Sequence, residues 1–246
     1  MDDLSPTNPA AWLLQVWKRI PPTLDTYGES SGIAGWNAVF GKDPNDRFAL
    51  SALSSVQTAV EDSTKLVTQL SVTESRKTRL LSWKEAFDHS FDAITESRRW
   101  RHVCAAFTAD RLVHLEYCAE QLEEVLPNRS SYEDIRQACA QVDSTLSQLL
   151  ADKNLEPDFK LLIGDLLETL RRSLYEYELR GSKGVFDSIS SVFSTLVKYK
   201  DRFNSEHEKK WWGTVRDTIG IAADIVTVTG VPAVMIGTHV TKLLPF

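Results

Sequence analysis

Apolar side chains recur at three- and four-residue intervals over most of this chain, and that spacing is the period of one face of an α-helix. Leu53, Val56, Val60, Val67 and Leu70 form one stripe, and Leu80, Trp83, Phe87, Phe91 and Ile94 form another. Trp100, Val103, Cys104 and Phe107 begin a third, which the spacing carries on through Leu115, Cys118, Leu122 and Val125 to Pro127. Ile135, Cys139, Val142, Leu146 and Leu149 share a face; behind Asn154 and Pro157 come Leu162, Leu166, Leu170, Leu174 and Tyr177. Val185, Ile189, Val192, Leu196 and Phe203 make the last long stripe. Strand-like alternation is confined to Val226, Thr227, Val228 and Thr229, too little for a sheet. The expected fold is all-α: an up-down helical bundle over residues 1–205, with residues 206–246 as an apolar C-terminal helical hairpin.

Breaker residues divide the stripes. Leu13, Val16, Trp17 and Ile20 make a short helix that Pro21 and Pro22 are expected to end, because proline lacks an N–H and clashes with the preceding turn. Residues 23–47 carry Gly28, Gly32, Gly35, Gly41 and Pro44, and read as a loop with a turn of helix around Trp36. Trp12, Trp17, Trp36, Trp83 and Trp100 fall mostly on core faces, where their size makes packing their role.

The 246 residues are 42% hydrophobic and 25% charged, enough apolar material for a sizeable core without staples. A net charge of −6 argues against general nucleic-acid binding, since the molecule as a whole repels a phosphate backbone. Cys104, Cys118 and Cys139 form no CxxC pair, and their odd number fits a reducing compartment rather than a disulfide framework. The start, Met1 to Pro6, is acidic and lacks the apolar stretch of a secretory signal, so a cytoplasmic protein is expected.

Signatures of chemistry are few. The histidines (His89, His102, His114, His207 and His239) are scattered without metal-ligand spacing, so neither a metal nor another cofactor is expected. Gly35 to Lys42 resembles a phosphate loop only superficially: five residues separate the glycines, and no hydroxyl follows the lysine to hold magnesium. Arg202 and His207, with four residues between them, resemble the Arg/His signature of the HEPN ribonucleases, all-helical domains that pair two such motifs across a dimer. That resemblance implies a histidine acting as general acid or base and an arginine steadying the scissile phosphate. The residue after the arginine is Phe203, where the family carries a polar one; Asn204 stands one place late.

Three surface features invite a partner. Arg98, Arg99 and Arg101 surround Trp100 in the densest basic cluster, readable as an anion-binding run or as a solvated face paired with carboxylates such as Glu96. Glu116, Glu120, Glu123 and Glu124 form an acidic stripe, read as solvated or as a guide for a partner. The third is the tail. After Lys209, Lys210, Trp211 and Trp212 the composition changes, and from Ile225 to Thr241 no charged residue occurs. Paired indoles beside lysines are the kind of anchor found at a lipid headgroup layer. Ile225, Val228, Val231, Val234 and Ile236 would then carry membrane or partner binding, although Gly230 and Pro232 interrupt a run already at the lower length limit for a span. The rival reading folds residues 214–244 into the bundle as core.

The segment Leu166 to Gly184, with Gly181 and Gly184 at a helix–helix corner, resembles a helix-Gly-x-x-Gly-helix pattern of small helical bacterial proteins near defence or toxin-type loci. The resemblance implies a bacterial source and a defence setting, and no catalytic residues. The sequence therefore reads as a non-enzymatic helical interaction protein, acting through its C-terminal segment on a protein partner or at the inner membrane. A homo-oligomer is compatible with this reading, and the alternative is the ribonuclease with Arg202 and His207.

Overall fold

The computed structural model describes residues 8–46, 48–95, 98–126, 131–199, 202 and 205–227. The protein is all-α: among the described residues the only β pairing is one isolated bridge between Ser31 and Arg99. The chain divides into two compact units, Met1–Pro127 and Asn128–Phe246.

In the first unit, α1 (Pro9–Arg19) packs against α4 (Phe48–Gln69) and α8 (Ala109–Val125). Asn8 does two jobs at its start. Its Oδ1 accepts from the N–H groups of Ala10 (3.1 Å) and Ala11 (3.3 Å), and its Nδ2 donates to the Ala119 carbonyl (2.8 Å) and to Glu123 (3.0 Å). A side-chain cap is worth about 1 kcal/mol by itself; here it also locks α1 to α8. Glu123 is consequently buried, not part of a solvated acidic stripe.

The prolines act differently from expectation. Pro21 does not merely stop α1 but opens α2 (Pro21–Tyr27), where a missing N–H costs nothing because first-turn donors have no intrahelical partner. The supposed loop 23–47 likewise contains α3 (Gly32–Val39), capped by Ser31. Gly35 is needed there for space: a Cβ would stand 2.0 Å from Cδ2 of Trp100. Asn37 then ties the following turn, donating to the carbonyls of Pro44 (3.1 Å) and Asp46 (2.6 Å) while accepting from the Ala49 N–H (2.8 Å). The glycine-bounded segment is thus a structural staple at the start of α4.

The stripe from Leu80 to Ile94 is cut by a turn at Leu81–Trp83 into α5 (Glu74–Leu80) and α6 (Lys84–Thr95). The stripe from Trp100 is cut into α7 (Trp100–Cys104) and α8, whose terminal Val125 is exposed rather than core. The aromatic residues explain these breaks. Trp17, Trp36, Phe87, Trp100 and Phe107 meet edge to face at centroid distances of 4.6–6.4 Å, with Trp83 on Phe87 at 5.9 Å. Rings from four helices (α1, α3, α6 and α7) and from the α7–α8 connection converge on one cluster.

Among the described residues the second unit contains four helices. They are α9 (Tyr132–Ala151), α10 (Pro157–Tyr175), α11 (Tyr177–Tyr199) and α12 (Glu206–Thr227). Each contacts the next, and α12 returns to α9, closing the ring. Lys160 reaches the Leu150 carbonyl (2.9 Å) and Tyr175 reaches Asp143 (2.8 Å), so α9 and α10 run antiparallel. Trp211 bonds Asp152 (2.9 Å) and Thr218 meets Thr145 (3.0 Å), which makes α12 antiparallel to α9 as well. The core joins Val142, Leu149, Ile163, Leu167, Leu170, Ile189, Val192 and Leu196 to Trp212, Val215 and Ile219. At Gly181 the backbone takes φ 61° and ψ −168°, a region open essentially to glycine alone, and α11 bends there.

Candidate functional site

The Arg202/His207 pair lies at one end of the second unit, where the α9–α10 connection meets the start of α12. Asp152 closes α9, its backbone N–H returning to the Gln148 carbonyl, and its Oδ1 accepts from the Asn154 N–H at 2.9 Å. Its Oδ2 takes two further bonds across the fold, from the Trp211 indole N–H at 2.9 Å and His207 Nε2 at 2.7 Å. Trp211, then Asn154, then His207 favour the ionised form, and together they hold this carboxyl down to about 2. Arg202 is engaged separately, donating to Asp158 at 2.9 Å.

The start of α12 is set by a reciprocal cap. Ser205 N–H donates to Glu208 (2.8 Å), and Glu208 N–H donates to the Ser205 hydroxyl (3.2 Å). With that start fixed, His207 and Trp211 stand four residues apart on the helix face that meets Asp152. The arrangement works as a clamp between the α9–α10 connection and the first turns of α12. The structure brings Arg202 and His207 to one end of the unit, yet holds each on a different carboxylate instead of aiming both at a common point.

The tail residues divide sharply. Trp211 and Trp212 are only 8% and 2% exposed, Trp212 lying edge to face on Phe159 at 5.2 Å, and Ile225 is 3% exposed. These three side chains face the core of the second unit. Lys209 pairs with Glu206 (2.9 Å), and Lys210 is exposed. Val228, Val231, Val234 and Ile236 lie outside the described residues. No helix among the described residues is long and apolar enough to cross a membrane.

The basic cluster is already partnered. Arg99 pairs with Glu29 at 2.5 Å, Arg101 contacts the same carboxylate, and Arg98 is exposed. Glu29 lies 70 residues from Arg99 in sequence, so no helical spacing points to it; Glu96 is outside the described residues. Backbone pairing of Trp100 N–H with the Ser30 carbonyl (2.8 Å) and of Gly32 N–H with the Arg98 carbonyl (3.0 Å) brings the two segments together.

Burial pushes the thiols of Cys104 and Cys118 up to about 11 and about 12, and that of Cys139 upward as well, which disfavours a nucleophilic thiolate at neutral pH. Among the described residues no group of three or more His, Cys, Asp or Glu side chains is placed to hold a metal ion. Two grooves have no counterpart in the motif reading. One in the second unit, of about 580 Å³, is lined by Tyr132, Ile135, Cys139, Leu174, Tyr175 and Tyr177. The other lies between α5 and α8. No family model matches this chain, and neither a curated protein nor a solved structure is significantly similar to it.

Proposed function

We propose that this chain is a non-enzymatic helical interaction protein whose second unit holds and presents the uncharged C-terminal run. The observation that carries this reading is the way α12 is divided. Its first half is clamped through Trp211 and His207 to Asp152, and its apolar face from Trp212 to Ile225 is buried. The helix is described to Thr227, just inside the run Ile225–Thr241 that carries no charge. The register of α12 on α9 directs its C-terminal end toward the Tyr132 end of α9, where the tyrosine-lined groove also lies. A firmly held helix that precedes an uncharged run in sequence, and whose C-terminal end is directed toward an aromatic groove, supports engagement of a protein partner or a membrane surface. The resemblance of residues 166–184 to helical bacterial proteins supports a defence setting, with the chain cytoplasmic or peripheral to the inner membrane.

The test is a pair of truncations. Removal of residues 228–246 should leave helicity intact and abolish flotation with anionic phosphatidylglycerol liposomes or association with a protein partner. Removal from residue 211 should instead unfold the second unit, because Trp211, Trp212, Val215 and Ile219 leave its core. In the membrane case Val234→Asp should weaken liposome binding by on the order of 2.5–3.5 kcal/mol. Unchanged binding by the 228–246 truncation would overturn the reading.

One observation favours the ribonuclease alternative: His207 is oriented through Nε2 by an ionised Asp152, an arrangement that general acid–base histidines use. RNA cleavage abolished by His207→Ala, in a protein of unchanged helicity, would replace the interaction reading with that one.

A further inference from the structure

We propose that the groove between α5 and α8 in the first unit binds a mononucleotide, its phosphate on Arg76 and Arg79 and its base on Tyr117. The argument uses residues of the first unit alone, so the proposal stands or falls independently of the function proposed above.

The groove encloses about 690 Å³, within the 300–1,000 Å³ typical of small-ligand sites. Arg76 and Arg79 stand three residues apart on α5, and both line it. That spacing puts two guanidinium groups on one helix face. Arg76 is positioned from across the groove: its Nη2 donates to Gln121 Oε1 at 2.6 Å, and Gln121 in turn donates to Glu124 at 3.1 Å. The guanidinium keeps further N–H groups for an anion, in the planar fork that suits phosphate. Arg79 is exposed and has no carboxylate partner among the described residues.

The opposite wall supplies a surface for a flat ring. Tyr117 is 58% exposed and Val113 is 44% exposed, both on α8 and both lining the groove. An exposed tyrosine face stacks on any nucleobase. Polar edges are present too. The Ser82 hydroxyl lies within reach of both the Arg79 carbonyl (3.0 Å) and His114 Nδ1. Among the described residues Glu120 is the one carboxylate lining the groove, and it can accept from sugar hydroxyls or a base amino group. Cations at one wall, an aromatic face at the other and acceptors between them match a phosphate joined to a base. The net charge of −6 opposes a long polyanion and tolerates a small one.

Isothermal titration of the full chain with AMP, GMP, CMP and UMP tests this, with adenosine and inorganic phosphate as separate halves. The expected result is saturable binding of at least one mononucleotide, tighter than either half. Arg79→Ala and Tyr117→Ala should each weaken it by about tenfold, the loss of one charge-assisted bond or one stacking face. Both positions are on the surface, and circular dichroism of each variant checks that it stays folded. No saturable heat from any of the four nucleotides at low-millimolar concentration would overturn the proposal. So would phosphate or adenosine binding as tightly as the nucleotides, or Arg79→Ala binding like the parent protein.

Discussion

At the residue scale, Gly35 and Asp152 show how much rests on neighbours distant in sequence. Gly35 reads as a loop breaker, but its role is to let the Trp100 ring lie on α3, where Trp100 meets Trp36 at 5.5 Å and donates to Thr23 at 2.8 Å. Gly35→Ala should therefore destabilise the first unit by about 1–3 kcal/mol, the range for overpacking a core with rigid rings. Urea unfolding followed by tryptophan fluorescence checks this. Asp152 is the second case. Its carboxyl falls from the ordinary 3.8 to about 2 in the folded protein, first through Trp211, so its stabilisation is full above pH 4 and is lost as pH falls through about 2. Asp134, lowered by its capping bonds to Ser131, acts in the same direction. Asp152→Asn should lower stability at neutral pH and flatten that acid limb, read from urea midpoints across a pH series. An acid limb identical to that of the parent protein would show that the clamp does not stabilise the fold.

At the scale of elements, the stripes of the second unit were legible because each helix there is long and buries one continuous face. Leu170, Leu174, Val185, Ile189, Val192 and Leu196 are all buried as their spacing implied. The boundaries in the first unit were not legible, since a three- or four-residue period continues unchanged across a turn such as Leu81–Trp83. The corner at Gly181 lies between these cases: glycine marked it, and only the backbone angles show why. Gly181→Ala should cost on the order of 1–3 kcal/mol, because φ 61° with ψ −168° is closed to residues bearing a Cβ. Thermal unfolding of the second unit measures it, and no change in midpoint would mean that the bend relaxes freely.

At the scale of the whole molecule, each unit is compact, and two probes report on them separately. Trp12, Trp17, Trp36, Trp83 and Trp100 belong to the first, Trp211 and Trp212 to the second. Residues 128–246 expressed alone should be helical and unfold cooperatively, since their core is formed within that unit. A fragment without a cooperative transition would refute this. What the sequence determined by itself was the helical class, the identity of most core residues and the composition break after Trp212, all properties carried by local periodicity and by charge. Tertiary structure alone decided that Glu123 and the two tail tryptophans are buried and that Arg99 and Arg101 share Glu29. It also decided that His207 and Trp211 meet at Asp152, and that two arginines, a histidine and a tyrosine line one groove. Those outcomes depend on contacts between segments far apart in the chain, for which no sequence spacing exists.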